Sequence, residues 1–393
     1  MFETLKPLPQ DPILQLMQTF RDDPRPDKVD LGIGVYKDDA GNTPIMAAVQ
    51  EAERRLLAGE TTKSYVGPAG SASYNDAMAR LILGANNTLI RDGRTSVVQT
   101  PGGCGALRMA AEFLRLCNPA TTVWVSTPTW ANHLPLLGGA GLTIREYPYL
   151  NRDTLQVDFA AMLESLEGAG TGDVLLLHGC CHNPSGADLD LEQWKEVTNL
   201  IQRKGLLPFV DMAYQGLGEG LDQDAAGLRH LASQVPEMLV AASCSKNFGL
   251  YRERTGALML ISETASINQA ATSQLLSVIR SHYSMPPAHG AAIVETILED
   301  ANLNRQWQDE LNSMCERILH LRQAFAESLT PAGDFSFIAH QRGMFSFLGI
   351  TPEKVRALRE DHGIYMLDSS RVNVAGLNDK VLPRVAEAIR SVL

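Results

Sequence analysis

Two hydrophobic periods alternate along this chain. Short apolar runs rich in β-branched residues recur at VVQT from residue 97, TVWVST from 122, LTIREYPY from 142, DVLLLHG from 173, LLPFVDMA from 206, LVAAS from 239 and GALMLIS from 256. Between them the pattern turns helical, and strands alternating with helices predict a largely parallel sheet covered on its faces. Further on, Leu303, Trp307, Leu311, Met314, Ile318, Leu321, Phe325 and Leu329 recur at steps of three and four, marking one long amphipathic helix that bridges two domains. After it, FSFIAHQRGMFSFLGI and RVNVAG read as strands and LNDKVLPRVAEAIRSVL as a closing helix. Residues 1–43, with several prolines and acidic turns, are too short to fold alone and join that region. The expectation is an α/β protein. Its large domain spans residues 44–311 around a mostly parallel seven-stranded sheet, and its smaller α+β domain is built from residues 1–43 and 312–393.

Composition narrows the function. A chain of 393 residues, 45% hydrophobic and 20% charged, is large enough for two cores. A net charge of −11 argues against a general nucleic-acid or anionic-membrane surface, since either needs a basic face. MFETLKPLPQDP has no basic region leading into an apolar core, and no later run reaches membrane-spanning length, so a cytoplasmic enzyme is expected. The six cysteines form no CxxC pair and read as reduced thiols. No metal site is expected, because Cys180, Cys181 and His182 are consecutive and do not readily face one ion.

Unusual polar residues follow the strands. In SCSKNFGLYRER, Ser243, Ser245 and Lys246 leave the strand MLVAAS, and Arg252 and Arg254 oppose the protonated form of the lysine. Asn183 follows DVLLLHG, while Asp211 and Tyr214 follow LLPFV. Singly each reads as a turn or cap residue, but the carboxyl edge of an open parallel sheet is where ligands bind. In TPGGCGALRMAAEFLRL, Gly102, Gly103 and Gly105 lead into a helix whose free N–H groups would hold a phosphate near Gly103 and Cys104. The spacing lacks the third glycine of a dinucleotide fingerprint, and TVWVST ends without the acidic residue that grips a ribose, so one phosphate fits better than NAD. A phosphate cradle, a lysine, an aspartate and an aromatic on one edge suggest pyridoxal 5′-phosphate. Lys246 would form the Schiff base, Ser243 and Arg254 would assist the phosphate, and Asp211 would pair with the pyridine nitrogen. Tyr214 and Asn183 would hydrogen-bond the phenolic oxygen, and Trp130 would stack on the ring.

SCSKNFGLYRERTG, HGCCHNPSG, VDMAYQG, PGGCGALR, PTWANH, IRSHYSMPPAHG and SRVNVAG together make the chain resemble the class I pyridoxal-phosphate-dependent aminotransferases, and within them the bacterial aspartate and aromatic amino-acid enzymes. The resemblance covers essentially all 393 residues. It implies a fold-type I homodimer with active sites at the subunit interface. Carried over by position, Lys246 is also the base that moves the substrate α-proton, and Arg371 grips the α-carboxylate. Ser245 falls in the cofactor motif and Gly34 approaches the substrate, as do Trp130 and Asn183. Tyr65 and Arg280 are donated across the interface, Tyr65 to the neighbouring phosphate and Arg280 to a distal carboxylate. The implied reaction is ping-pong amino-group transfer between aspartate or aromatic amino acids and 2-oxoglutarate. A lyase or decarboxylase on the same fold, or an amino-acid-sensing module, stands as the alternative. Three positions depart from the family pattern: Cys104 replaces a common threonine, Ser370 replaces a common glycine, and Asp368 adds a negative charge near Arg371.

Overall fold

The computed structural model describes residues 1–8 and 10–393. All seven apolar runs are strands: β1 (Thr95–Pro101), β2 (Thr122–Thr127), β3 (Thr143–Pro148), β4 (Val174–His178), β5 (Leu207–Met212), β6 (Met238–Ser243) and β7 (Thr255–Ile261). They form one sheet in the order β1-β7-β6-β5-β4-β2-β3. Every pairing is parallel except those of β7, which runs antiparallel to both β1 and β6. Two reversals cancel, so β1 points the same way as β6. The residues following β1, β2, β4, β5 and β6 therefore emerge at one edge. Burial explains the apolar runs: every residue of β6 and β7 is inaccessible, as expected for strands covered on both faces.

Four helices matter for the site: α1 (Pro12–Asp22), α2 (Gly102–Cys117), α3 (Ala265–His282) and α4 (Ala301–Leu329). The periodic stripe of α4 is real and divides its burial. Leu303, Trp307, Leu311, Met314 and Ile318 join the core beside the sheet. Leu321, Phe325 and Leu329 join a second core with Val355, Leu358, Val385 and Ile389. Trp307 stacks on Phe248 at 4.4 Å between ring centroids, and its indole N–H donates to the carbonyl of Asn247, next to Lys246. The helix thus braces the lysine turn.

The second core is reached from both ends of the chain. Val29–Asp30 pairs parallel with Ile364–Tyr365, and Val29 and Leu31 are buried with residues 321–389. One expectation fails here. FSFIAH is not a strand, because Phe337–His340 forms a short helix. Ile338 and Ala339 close turns on the carbonyls of Phe335 and Ser336, which an extended strand does not make. The strands that do form are β8 (Phe345–Phe347) and β9 (Arg371–Asn373), which pair antiparallel. Val374–Gly376 then turns in a 3-10 helix. No helix among the described residues is long and apolar enough to cross a membrane.

Candidate active site

A cavity of about 150 Å³ opens where β1, β4, β5 and β6 end, lined by Gly103, Cys104, Trp130, Asn183, Asp211, Tyr214, Ser243, Lys246 and Arg254. Parallel strand direction alone brings these distant residues together. The Lys246 amine lies 4.9 Å from the Tyr214 ring centroid, and among the described residues no acceptor meets it. Burial pushes its pKa down, Asp211 and Cys104 oppose that shift, and Arg254 adds to it. Arg252 stays exposed and takes no part, so desolvation rather than an arginine pair disfavours the ammonium.

Asp211 ends β5 in register with His178 of β4. Three residues without a role in the sequence pattern, Thr129, His133 and His178, hold it. The Asn183 N–H donates to His178 Nδ1 at 3.4 Å, which leaves His178 Nε2–H to donate to Thr129 Oγ1 at 3.2 Å. The Thr129 hydroxyl then donates to His133 Nδ1 at 2.8 Å, and His133 Nε2–H donates to Asp211 at 3.0 Å. Burial pushes His178 down to about 3, with His133 adding to the shift, so His178 is neutral and the direction of the chain is fixed. Burial by itself would raise Asp211, but the hydrogen bond from His133 and the nearby Lys246 outweigh it, and its pKa is lowered. The carboxylate is therefore ionised and aimed into the cavity. His133 and His178 lie in PTWANH and LLLHG, and the adjacency of β4 and β5 was the signal that could have exposed them.

At the other end of the cavity, Gly102 takes φ of 70°, and a Cβ there would lie 2.4 Å from the Arg254 guanidinium. A Cβ on Gly103 would lie 3.2 Å from Ser243 Cβ. The glycines thus let Arg254 and Ser243 close over the start of α2, where unpaired N–H groups face the cavity. Ser245 is buried with its N–H donating to Ser243 Oγ at 3.2 Å, outside the lining. Cys104 lines the cavity, its Sγ 3.8 Å from Asn132 Nδ2.

Trp130 and Asn183 also line a second cleft of about 780 Å³, closed by α1 on one side and residues 366–371 on the other. Arg371 lies there, buried, donating to the Gly32 carbonyl at 2.6 Å and resting 4.3 Å from the Phe345 ring centroid. Its Nε is enclosed and has no partner, and burial pushes its pKa down. Asn183 bridges both spaces, donating to the Tyr214 hydroxyl at 3.2 Å and accepting from Arg371 at 3.5 Å. Behind this wall the fully buried Arg322 donates to the carbonyls of Ile338, Arg342, Gly343 and Phe345 and to Ser346 Oγ, and so fixes the strand that carries Phe345. Gly34 explains itself by contact: a Cβ there would lie 2.8 Å from Phe345 Cζ. Gly34→Ala should displace Phe345 and with it Arg371, raising KM for amino-acid substrates about tenfold with kcat much less affected. Steady-state kinetics check this.

Two candidates stand apart. Tyr65 is 93% exposed, and Arg280 is exposed on α3, donating only to Ser284 Oγ. Neither lines either space. His182 does turn away, toward Ser126 and Ser185. Cys180 and Cys181, however, converge with Asp224 to within 4.8 Å, because Cys181 adopts φ of 52° and this reverses the usual divergence of neighbouring side chains. Asp224 already accepts from the N–H groups of Gly216, Gly218 and Glu219, and both thiols are pushed up, which keeps them protonated.

The residues fit pyridoxal phosphate. A partnerless amine suits an aldehyde, an ionised buried carboxylate suits a protonated pyridine, and a glycine cradle beside Ser243 and Arg254 suits a phosphate. The family model for aminotransferase class I and II matches residues 26–389. The aromatic-amino-acid aminotransferase of Paracoccus denitrificans is 48% identical over 392 residues, covering 99% of each chain. The aspartate aminotransferase of Escherichia coli is 48% identical over 396 residues, covering 100% of each. A solved structure of an aromatic-amino-acid aminotransferase from Burkholderia pseudomallei, covalently bound to pyridoxal phosphate, matches with a TM-score of 0.98 at 42% identity, over 100% of this chain and 99% of that one. The chain belongs to the class I and II aminotransferases and works as a pyridoxal-phosphate-dependent amino-group transferase.

Proposed function

We propose that this enzyme passes amino groups between aspartate or aromatic amino acids and 2-oxoglutarate by a ping-pong route. The observation that carries the reading is the convergence of Lys246, Asp211, Asn183, Tyr214 and Arg254 on one cavity that opens through Asn183 onto Arg371. Bound pyridoxal phosphate supplies an aldehyde for amines and a ring that accepts the electrons of the substrate Cα–H bond. Ser243, Arg254 and the first turn of α2 would hold the phosphate, and Asp211 would keep the pyridine nitrogen protonated. Arg371 takes the α-carboxylate and so presents the α-proton to Lys246. Desolvation favours the neutral amine, which accepts that proton. Asn183 and Tyr214 would hydrogen-bond the phenolic oxygen, and Trp130 would cover the ring. Both relatives named above fit this substrate set, one by its aromatic and the other by its aspartate name. The lyase and sensing alternatives have no comparable support.

The reading includes a homodimer. Tyr65 and Arg280 are exposed and absent from both spaces, so any contact with a bound cofactor or substrate requires a second copy of the chain. It also includes the division into residues 44–311 and residues 1–43 with 312–393, supported by the pairing of Val29–Asp30 with Ile364–Tyr365. A cytoplasmic location is supported by six free cysteines.

The test is to add aspartate, and separately phenylalanine, to the cofactor-loaded protein without any keto acid, following the visible band and the keto acid released. Stoichiometric oxaloacetate and phenylpyruvate support both activities. Oxaloacetate alone narrows the enzyme to aspartate. Neither product overturns the reading.

A further inference from the structure

Asn183 sits on the segment between β4 and the helix Leu191–Lys204, and one side chain folds back to close that segment. Asp188 Oδ2 accepts from the Cys181 N–H at 2.6 Å, and its Oδ1 accepts from the His182 N–H at 2.7 Å. Both bonds are short, as bonds to a charged acceptor are. Burial pushes the Asp188 pKa up to about 6, and the two N–H groups oppose that shift, so the clamp is ionised above that range. The later half of the segment has ties to other elements: the Gly186 carbonyl accepts from the Arg342 N–H at 2.8 Å, and the Ala187 carbonyl accepts from the Tyr149 hydroxyl at 2.8 Å. Among the described residues, the two N–H groups that lead into Asn183 have Asp188 alone. Cys181, between them, keeps φ of 52°, a conformation that a non-glycine residue holds only where its surroundings over-determine it. The aim matters, because the Asn183 amide meets Tyr214 and Arg371 together, at 3.2 and 3.5 Å. Both contacts are long, and a main-chain shift of about 1 Å breaks them.

We infer that Asp188 is a positioning residue for the amino-group transfer, its carboxylate setting the main chain that aims the Asn183 amide at Tyr214, Arg371 and the bound cofactor. The inference rests on the contact between Asn183 and the phenolic oxygen in the proposed function. Donors to that oxygen favour its charge and disfavour a proton shared with it. A misplaced Asn183 therefore leaves more of the bound cofactor protonated.

The experiment is the visible spectrum of the cofactor-loaded protein without substrate, at one pH well above the titration of Asp188. It compares the wild type with Asp188→Asn, Asn183→Ala, the double variant of these two, and Asp190→Ala as a control. Asparagine keeps the shape of Asp188 but accepts only one of the two N–H groups through its single oxygen. The ratio of protonated to unprotonated cofactor absorbance should rise about 2- to 10-fold in Asp188→Asn, equivalent to about one hydrogen bond, and at least as much in Asn183→Ala. The double variant should match Asn183→Ala, because the clamp acts through that residue. Asp190 caps the next helix by accepting from the Gln193 N–H at 2.8 Å. Its replacement should lower the melting temperature and leave the ratio within about twofold of the wild type. Asp188→Ser is measured in the same way should Asp188→Asn not fold. An unchanged ratio at Asp188, a further rise in the double variant, an equal rise in Asp190→Ala, or failure of both Asp188 variants to fold overturns the assignment. A ratio unchanged in Asn183→Ala overturns the cofactor contact of the proposed function, and the assignment with it.

Discussion

Lys246→Ala should purify folded and loaded only with non-covalent cofactor, with turnover reduced by at least about 10⁴-fold. The substitution removes the covalent anchor and the proton carrier together, and positioned acid–base catalysis alone is worth about 10²–10⁴. Stability should not suffer. The amine lines the cavity beside Tyr214 without a hydrogen-bond partner, and desolvation already opposes its charge, so its loss removes a desolvation cost along with some packing. The melting temperature of the cofactor-free protein, measured beside kcat, checks both halves. A variant that keeps normal turnover would remove Lys246 from the reaction, whereas a variant that fails to fold would show that the amine is structural.

Arg371→Ala should have the next largest effect. The guanidinium is enclosed, donates to Gly32 and Asn183, and leaves its Nε unpartnered. A substrate carboxylate would complete this set. Truncating one partner of a buried, hydrogen-bonded charge pair costs about 2–5 kcal/mol, so kcat/KM should fall roughly 30- to 5000-fold for aspartate and phenylalanine alike, because every amino acid carries the α-carboxylate. An equal fall on both substrates distinguishes this residue from Arg280, whose proposed role concerns only a distal charge. Loss confined to aspartate would reassign Arg371 to the side chain of the substrate.

Some of this was readable before any coordinates. The central strands showed in the sequence because burial on both faces leaves few polar positions, the edge strands β1 and β3 by their short β-branched runs, and α4 because its stripe is long and periodic. The cavity residues were legible for a related reason: in a parallel sheet the carboxyl ends share an edge, so Asn183, Asp211 and Lys246 could be grouped without knowing strand order. FSFIAH misled because aromatic-rich segments of four or five residues satisfy a strand and a short helix equally, and packing decides between them.

The chemistry of the site was thus set by residue type and by position after each strand, both local properties. Strand order, the reversal of β7 and the left-handed turn at Cys181 were not. Only the tertiary structure put His178 beside Asp211, threaded Thr129 and His133 between them, seated Arg371 on the Phe345 ring, and left Tyr65 and Arg280 pointing away from their own cavity. Hydrogen-bond direction, burial and charge pairing depend on neighbours that are distant in sequence, and that is why the chain showed which groups gather at the site but not what holds and tunes them.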